Sequence, residues 1–433
     1  TRRTRRTRRR SRAGGNGGGG RRVRRLGLPR TTTRRRARRR RTRRARRRWS
    51  RSPTRRLTRW SGCAPPRRGS RRWSCGWCTS ARGPASRRRE GLAEAAAVKS
   101  ASSQCPRCAQ ENKDFPIRLH SLIASRYQVK EYLGSAAFSK AVQCLDLHTG
   151  EMVCIKIIKN NKDFFDQSLD EIKLLRYLRK HDPRDEHHVL RMYDYFYHRE
   201  HLFLVCELLR DNLYEFSRFN RDSGGERYFQ LPRLRRIAKQ CLEALVFVHR
   251  LGLIHCDLKP ENILIQSYSR CEVKVIDFGS SCFTTDHLSS YVQSRSYRAP
   301  EVVLGLGYGQ KIDLWSLGAI LAELHTGYVL FQNDSLATML ARIVGILGPF
   351  PQRMLERGRH THKFFVGDTP YERDASGAIC LLRPKPSSLR HRLHSDDKLF
   401  LSFVGSLLKV DPDQRPTAQQ ALQHPWIASD PYQ

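Results

Sequence analysis

From about Ser125 onward, apolar and polar positions alternate in short runs. "YQVKEYLG" (127–134), "AVQCLDL" (141–147) and "MVCIKIIK" (152–159) are rich in β-branched and aromatic residues, and "HTG" (148–150) supplies a turn. Such runs predict antiparallel strands. "FFDQSLDEIKLLRYLRKH" (164–181) changes to the helical period and predicts one helix. "HVLRMYDYFYHREHLFLVCELL" (188–209) returns to strands, with a turn near Arg199–Glu200. After "RDNLYEF" the pattern turns helical at 231–252, opening near a proline and ending at a glycine, and again at 311–326, 335–347, 396–408 and 416–423. A strand-rich lobe with one helix therefore precedes a mostly helical lobe. Ligands favour the cleft between two such lobes.

Charge divides the 433-residue chain differently. Residues 1–100 hold 37 Arg, one Lys and two acids, a net +36, while the rest of the chain carries only +6 of the total +42. The head offers too few apolar residues to offset its chain entropy, and its arginines repel one another, so residues 1–120 are expected to be a disordered, low-complexity region. Arginine clusters attract phosphate backbones, so nucleic acid or acidic partners are one reading of residues 1–100, with a nuclear address another. A leader without function explains the same composition. No run of 18 apolar residues occurs, which argues against a membrane partner, and the start lacks the apolar core of a secretory signal. The expected location is nucleus and/or cytoplasm.

The 13 cysteines lie mostly within apolar stretches such as "MVCIKII", which suits buried free thiols in a reducing compartment. Cys75, Cys78, Cys105 and Cys108 form two C-x2-C pairs 26 residues apart. Four thiolates so spaced can hold zinc, but the Arg-, Ala- and Ser-rich spacer gives a zinc ribbon little to pack on.

The chemistry concentrates in "LIHCDLKPENILI" (253–265) and "VKVIDFGSSCF" (273–283). Phosphoryl transfer needs a held phosphate, neutralised charge and an aimed hydroxyl. Asp257 can accept the hydroxyl's proton, Lys259 can steady the phosphate, and Asn262 and Asp277 offer the hard oxygen atoms that Mg²⁺ prefers. In isolation, Asp-x-Lys would be a surface ion pair. Lys156 lies mid-strand in "VCIK", facing away from Ile155 and Ile157. Its partner is read as Glu171 rather than Asp170, because Glu171 lies three and four residues before Leu174 and Leu175 on the apolar helix face.

These stretches, with "YVQSRSYRAPEVVLG" and "KIDLWSLGAILAEL", occur in order at protein-kinase spacings. They resemble the dual-specificity tyrosine-regulated kinase (DYRK) family, and its plant-type branch in particular, over roughly 125–428. The resemblance implies an α+β, bilobal protein-kinase fold at 127–427, with an N-lobe at about 127–209 and a C-lobe at about 210–427. It implies ATP and Mg²⁺, Ser/Thr protein substrates (a reading that Ser280 after "DFG" favours) and self-phosphorylation of Tyr291. Catalytic roles fall to Asp257 and Lys259, metal binding to Asn262 and Asp277. Nucleotide binding falls to Lys156, Glu171, the connector residues Glu207 and Leu209 with Cys206 behind them, and the loop Gly134, Ser135, Ala136, Ala137, Phe138 and Ser139. Ala136 and Ser139 replace two expected glycines. They keep the backbone N–H donors but lose φ freedom, and Phe138 at the tip could shield the phosphates. Cys256 replaces the usual arginine before the catalytic aspartate, so the loop-ordering role is assigned to Arg295 and Arg298 acting on phosphorylated Tyr291. Asp313 is expected to brace the catalytic loop, and Glu301 to pair with Arg415. The rival readings are a catalytically weak pseudokinase scaffold and a nucleic-acid-binding protein acting through its head.

Overall fold

The computed structural model describes residues 114–429, except 225, 287, 288, 290 and 333. Most of the Arg-rich head and the four cysteines weighed as zinc ligands lie outside the described residues. The strands β1 (Leu122–Ile123), β2 (Tyr127–Ser135), β3 (Ser139–Asp146), β4 (Met152–Ile158), β5 (Met192–His198) and β6 (His201–Glu207) form one six-stranded sheet, in the order β1-β2-β3-β4-β6-β5. All of its pairings are antiparallel. Hairpins join β2 to β3, β3 to β4 and β5 to β6. At the last of these, Arg199 and Glu200 both take positive φ, 46° and 62°, as a tight hairpin turn requires.

Alternation along β4 sends Val153, Ile155 and Ile157 into a small core with Phe203, Val205 and Tyr127. Phe115 is buried in the same core. The packed body therefore begins before residue 120, the expected end of the unstructured head, because an aromatic anchor there covers the outer face of the sheet. The opposite face of the sheet, by register, carries Ala141, Cys154, Lys156, Leu204 and Cys206.

Helix α1 (Lys162–His181) crosses this inner face. Asn161 caps its first turn by accepting from the Asp163 and Phe164 N–H groups. Ile172, Leu175 and Leu178 are buried on one side of the helix, with Glu171 among them.

The C-lobe is built on α2 (Leu213–Asp222), α3 (Leu231–Arg250) and α5 (Lys311–Thr326), with the short α4 (Pro300–Val303) before α5. Helix α3 buries Leu234, Ile237, Ala238, Cys241, Leu242 and Leu245, the stripe predicted from its period. Helix α5 is buried almost throughout and stops at Gly327, whose φ of 82° is the left-handed cap. Two short pairs and a small sheet sit at the lobe junction and beyond: β7 (Leu253–Ile254) with β10 (Cys282–Phe283), β8 (Ile263–Ser267) with β9 (Glu272–Val275), and a three-stranded sheet spanning 365–381. Among the described residues, no helix is long and apolar enough to cross a membrane.

Candidate active site

Asp257 lies on the loop between β7 and the turn Pro260–Asn262, and donors surround its carboxylate. Lys259 Nζ donates to Oδ2 at 2.6 Å, and Ser294 donates to Oδ1 through its N–H at 3.0 Å and its hydroxyl at 2.8 Å. Asn262 donates its amide Nδ2 to the Asp257 carbonyl at 2.8 Å. Asp313, fully buried at the start of α5, braces this loop as expected. It accepts from the His255 N–H at 2.9 Å, the Cys256 N–H at 3.1 Å and His249 Nε2 at 2.9 Å. Both Cys256 and Asp277 hold positive φ, 65° and 63°. Such strain in non-glycine residues persists only where the surroundings over-determine it.

On the sheet side, Lys156 Nζ donates to both Glu171 oxygens at 2.8 Å and stands 3.9 Å from Asp277 Oδ1. Burial alone would lower the lysine's pKa. The charges of Glu171 and Asp277 outweigh it, so the ammonium is held above its ordinary value. Asp170 points away and pairs with Lys173 at 2.8 Å. A side chain at Gly279 would meet Asp277 Oδ1 at 3.3 Å and Glu171 Oε2 at 3.8 Å, so glycine there lets the two acids approach the lysine. Phe278 is buried in the main core and meets His255 edge-on at 5.1 Å.

The donor set suits Mg²⁺. Asn262 spends its nitrogen on Asp257, which leaves its carbonyl oxygen for a cation, and Ile276 N–H bonds to Asn262 O at 2.9 Å, bringing Asp277 alongside. Among the described residues no cluster of three or more His, Cys, Asp or Glu side chains forms a metal cage. A hard ion here would draw its remaining oxygen atoms from phosphate and water, as Mg²⁺ usually does.

The loop Gly134–Ser139 turns tightly, with Ala136 N–H donating to Ser139 O at 2.8 Å. The Phe138 side chain folds toward Lys156. Its ring is partly buried, 5.0 Å from Lys156 Nζ and 6.3 Å from the Phe164 ring. Apolar contact with α1 and attraction to the ammonium draw it inward. Glu207 and Leu209 lie on the connector between the lobes. The Glu207 carboxylate, however, is turned away to Lys274 and to the Arg191 N–H at 2.8 Å, and its own N–H donates to Arg191 O at 3.0 Å, so its backbone carbonyl is the group it can offer a ligand.

Cys256 is fully buried, and its sulfur lies 3.6 Å from Cys282 Sγ. An apolar thiol contact thus fills the place where arginine was expected. Tyr291 is 68% exposed, and the Arg298 guanidinium lies 4.2 Å over its ring. Hydrogen bonds from Arg298 and then Arg295 hold the phenol below its ordinary pKa. Arg298 also donates to the Val292 and Gln293 carbonyls at 2.8 and 2.7 Å. Ser294 is the residue that sequence reasoning missed. It lies 37 positions from Asp257, and no local period points to it.

A two-lobed body with a lysine–glutamate pair above and a hydrogen-bonded Asp-x-Lys below is the framework of a phosphotransferase. The family pattern described as "Protein kinase domain" matches residues 127–427. The chain is 41% identical over 317 residues to the DYRK-family kinase pom1 of Schizosaccharomyces pombe, covering 73% of this chain and 29% of that protein. It is 39% identical over 322 residues to dual specificity tyrosine-phosphorylation-regulated kinase 2 of Drosophila melanogaster, covering 73% and 43%. It is 40% identical over 309 residues to the human kinase 4 of that name, covering 71% and 59%. The chain belongs to the protein kinase family, within its dual-specificity tyrosine-regulated group. These relatives come from a yeast, an insect and a mammal and do not bear out the plant-type branch. The chain spans between 29% and 59% of their lengths.

Proposed function

We propose that this chain transfers the γ-phosphoryl group of ATP to Ser/Thr hydroxyls of proteins and to its own Tyr291. The observation that carries the reading is Asp257, whose carboxylate is oriented by Lys259 at 2.6 Å and by Ser294 at 2.8 Å, with the Lys156–Glu171 pair closed at 2.8 Å. The acceptor hydroxyl would lie against Asp257. Its oxygen forms a bond to the γ-phosphorus, the bond from that phosphorus to the ADP oxygen breaks, and the proton passes to the Asp257 carboxylate. Lys259 steadies the transferred group, and Lys156 holds the inner phosphates. Mg²⁺, carried between Asn262 and Asp277, would neutralise phosphate charge when bound.

The acceptor side holds unbalanced acid. Glu261 Oε2 is buried without a partner, and Glu323 accepts the Tyr297 hydroxyl at 2.6 Å. An assay peptide should therefore carry an arginine beside its serine.

Asp257→Asn keeps the shape and deletes the proton acceptor. It should lower kcat by about 10²–10⁴, the range typical of a positioned general base. Expressed in bacteria, the wild type should carry phosphate on Tyr291 and Asp257→Asn should not. Tyr291→Phe should lower kcat and leave ATP affinity unchanged. Phosphate on Tyr291 of the Asp257→Asn protein would refute self-modification, and an unchanged kcat would refute the role of Asp257.

A further inference from the structure

We propose that Lys274 is a positioning residue for the nucleotide base, fixing the connector between the lobes by clamping Glu207 onto the strand that leads to Asp277. The inference rests on the reading of 205–212 as the base-binding connector. Lys274 lies on β9, three residues before Asp277, and its side chain is only 3% exposed. Its ammonium donates to Glu207 at 2.7 and 3.0 Å and to Asp185 at 2.7 and 2.6 Å. Asp185 belongs to the segment joining α1 to β5, and it holds a positive φ of 62°. One buried cation thus ties together the start of the connector, the segment that follows the Glu171 helix, and the strand that leads to Asp277.

The surrounding backbone makes the clamp directional. Val275 N–H donates to His188 O at 2.9 Å and Leu190 N–H to Val275 O at 3.0 Å, which hold β9 against that segment. Arg210 N–H donates to Ile265 O at 2.7 Å, and Ile265 N–H to Asp211 O at 3.0 Å, which fix the far end of the connector to β8. At the near end, the Glu207 carboxylate accepts from Arg191 N–H at 2.8 Å and from Lys274. Burial raises the Glu207 carboxyl above its ordinary range even beside Lys274, so this carboxylate has little water to fall back on. Without the ammonium, Glu207 and Asp185 would be two acids facing each other, and the connector would be pushed from its place.

The base reads that place. Adenine presents a donor at N6 and an acceptor at N1, whereas guanine presents an acceptor at O6 and a donor at N1. A fixed backbone carbonyl and N–H accept the first pattern and leave the second unpaired, which is how a built hydrogen-bonding site discriminates. A connector free to shift loses that discrimination. A loss of fold alone would lower the active fraction and leave the ratio of the two nucleotides unchanged.

The test titrates the full chain with Mg-ATP and with Mg-GTP by calorimetry. Lys274→Met should weaken ATP binding about tenfold and shrink the ATP-to-GTP affinity ratio by a similar factor, as expected when a binding contact is lost. Lys274→Arg, which keeps the charge and can donate to both carboxylates, should restore the ratio. If Lys274→Met does not fold, Lys274→Gln gives the same readout with a smaller loss of polarity. A wild type that prefers ATP, with a folded Met or Gln variant that keeps the same ratio, overturns the inference alone. A wild type that binds neither nucleotide overturns the reading of the cleft, and the inference with it.

Discussion

Two ion pairs in this protein look alike in sequence and differ in what they leave unspent. Arg415 and Glu301 are 0% and 1% exposed. The guanidinium donates to both Glu301 oxygens at 2.7 and 3.0 Å, to Lys311 O at 2.8 Å and twice to Lys409 O at 3.1 and 3.0 Å. That uses all five N–H donors of an arginine. Lys156 and Glu171 are also close, at 2.8 Å, but the lysine is 21% exposed. Both of its bonds go to one carboxylate, and its third donor has only Asp277 at 3.9 Å and the Phe138 ring at 5.0 Å. The C-lobe pair is a closed frame. The cleft pair keeps capacity for a phosphate, and it hangs from a helix rather than from the core. Complete satisfaction gives rigidity, and a ligand site needs the opposite.

Breaking each pair should therefore move different quantities. Arg415→Met leaves Glu301 buried and uncompensated, and strips two carbonyls of their donors. It should lower unfolding free energy by about 3–5 kcal/mol, seen as an earlier denaturant midpoint. Glu171→Gln should leave that midpoint nearly in place and lower kcat/KM about 100-fold, roughly 2.7 kcal/mol of transition-state stabilisation. Equal losses of stability in the two variants would erase the distinction.

The closed C-lobe should also respond to acid. His325 ends α5, the helix that carries Asp313, and its ring lies 4.9 Å from Phe400 with Nδ1 unpartnered. Burial, then the nearby Arg227 charge, pulls it from 6.5 down to about 4. Between those pH values the unfolded chain binds a proton that the folded chain refuses. Its contribution is intact above pH 6.5 and is lost as pH falls toward 4, by up to about 3 kcal/mol. Urea midpoints measured across this window should fall less steeply in His325→Leu than in the wild type. Parallel slopes would remove His325 as the cause.

Much of this was legible because period and burial agree. Helix α5 falls at the expected 311–326. The choice of Glu171 over Asp170 followed from helical phase, and the structure pairs Glu171 with Lys156 and turns Asp170 outward to Lys173. Helix α2 was not legible, because only Leu213 of its ten residues is fully buried and Phe219 is 68% exposed. The strand Ile379–Leu381 is exposed throughout, so no alternation marks it. Ser294, Cys282 and Lys274 act across long separations, 37, 26 and 67 residues from Asp257, Cys256 and Glu207. A side chain's local pattern reports the face it occupies and not the distant loop it meets.

The smallest effect is expected where the sequence departs most from its family. Ala136 and Ser139 stand in place of glycines, which raises the question of lost backbone freedom. Neither residue has a positive φ, so neither position needs glycine in this conformation. Ser139 is buried and paired with Ile158 at the start of β3, and its carbonyl accepts the Ala136 N–H at 2.8 Å. The Ala136 N–H is thus spent within the loop, and what glycine would add is closer approach to phosphate, offset by greater freedom to lose on binding. Changing both, Ala136→Gly with Ser139→Gly, should alter the KM for ATP by no more than about tenfold, roughly 1.4 kcal/mol, with kcat nearly constant. The direction separates causes. A lower KM means steric exclusion by the two side chains governs the loop, and a higher one means their ordering of it does. If the wild type shows no thermal shift with Mg-ATP and the double-glycine protein shows a clear one, the loop rather than the Lys156–Glu171 pair decides whether this cleft holds a nucleotide, and the contrast between the two ion pairs loses its functional half.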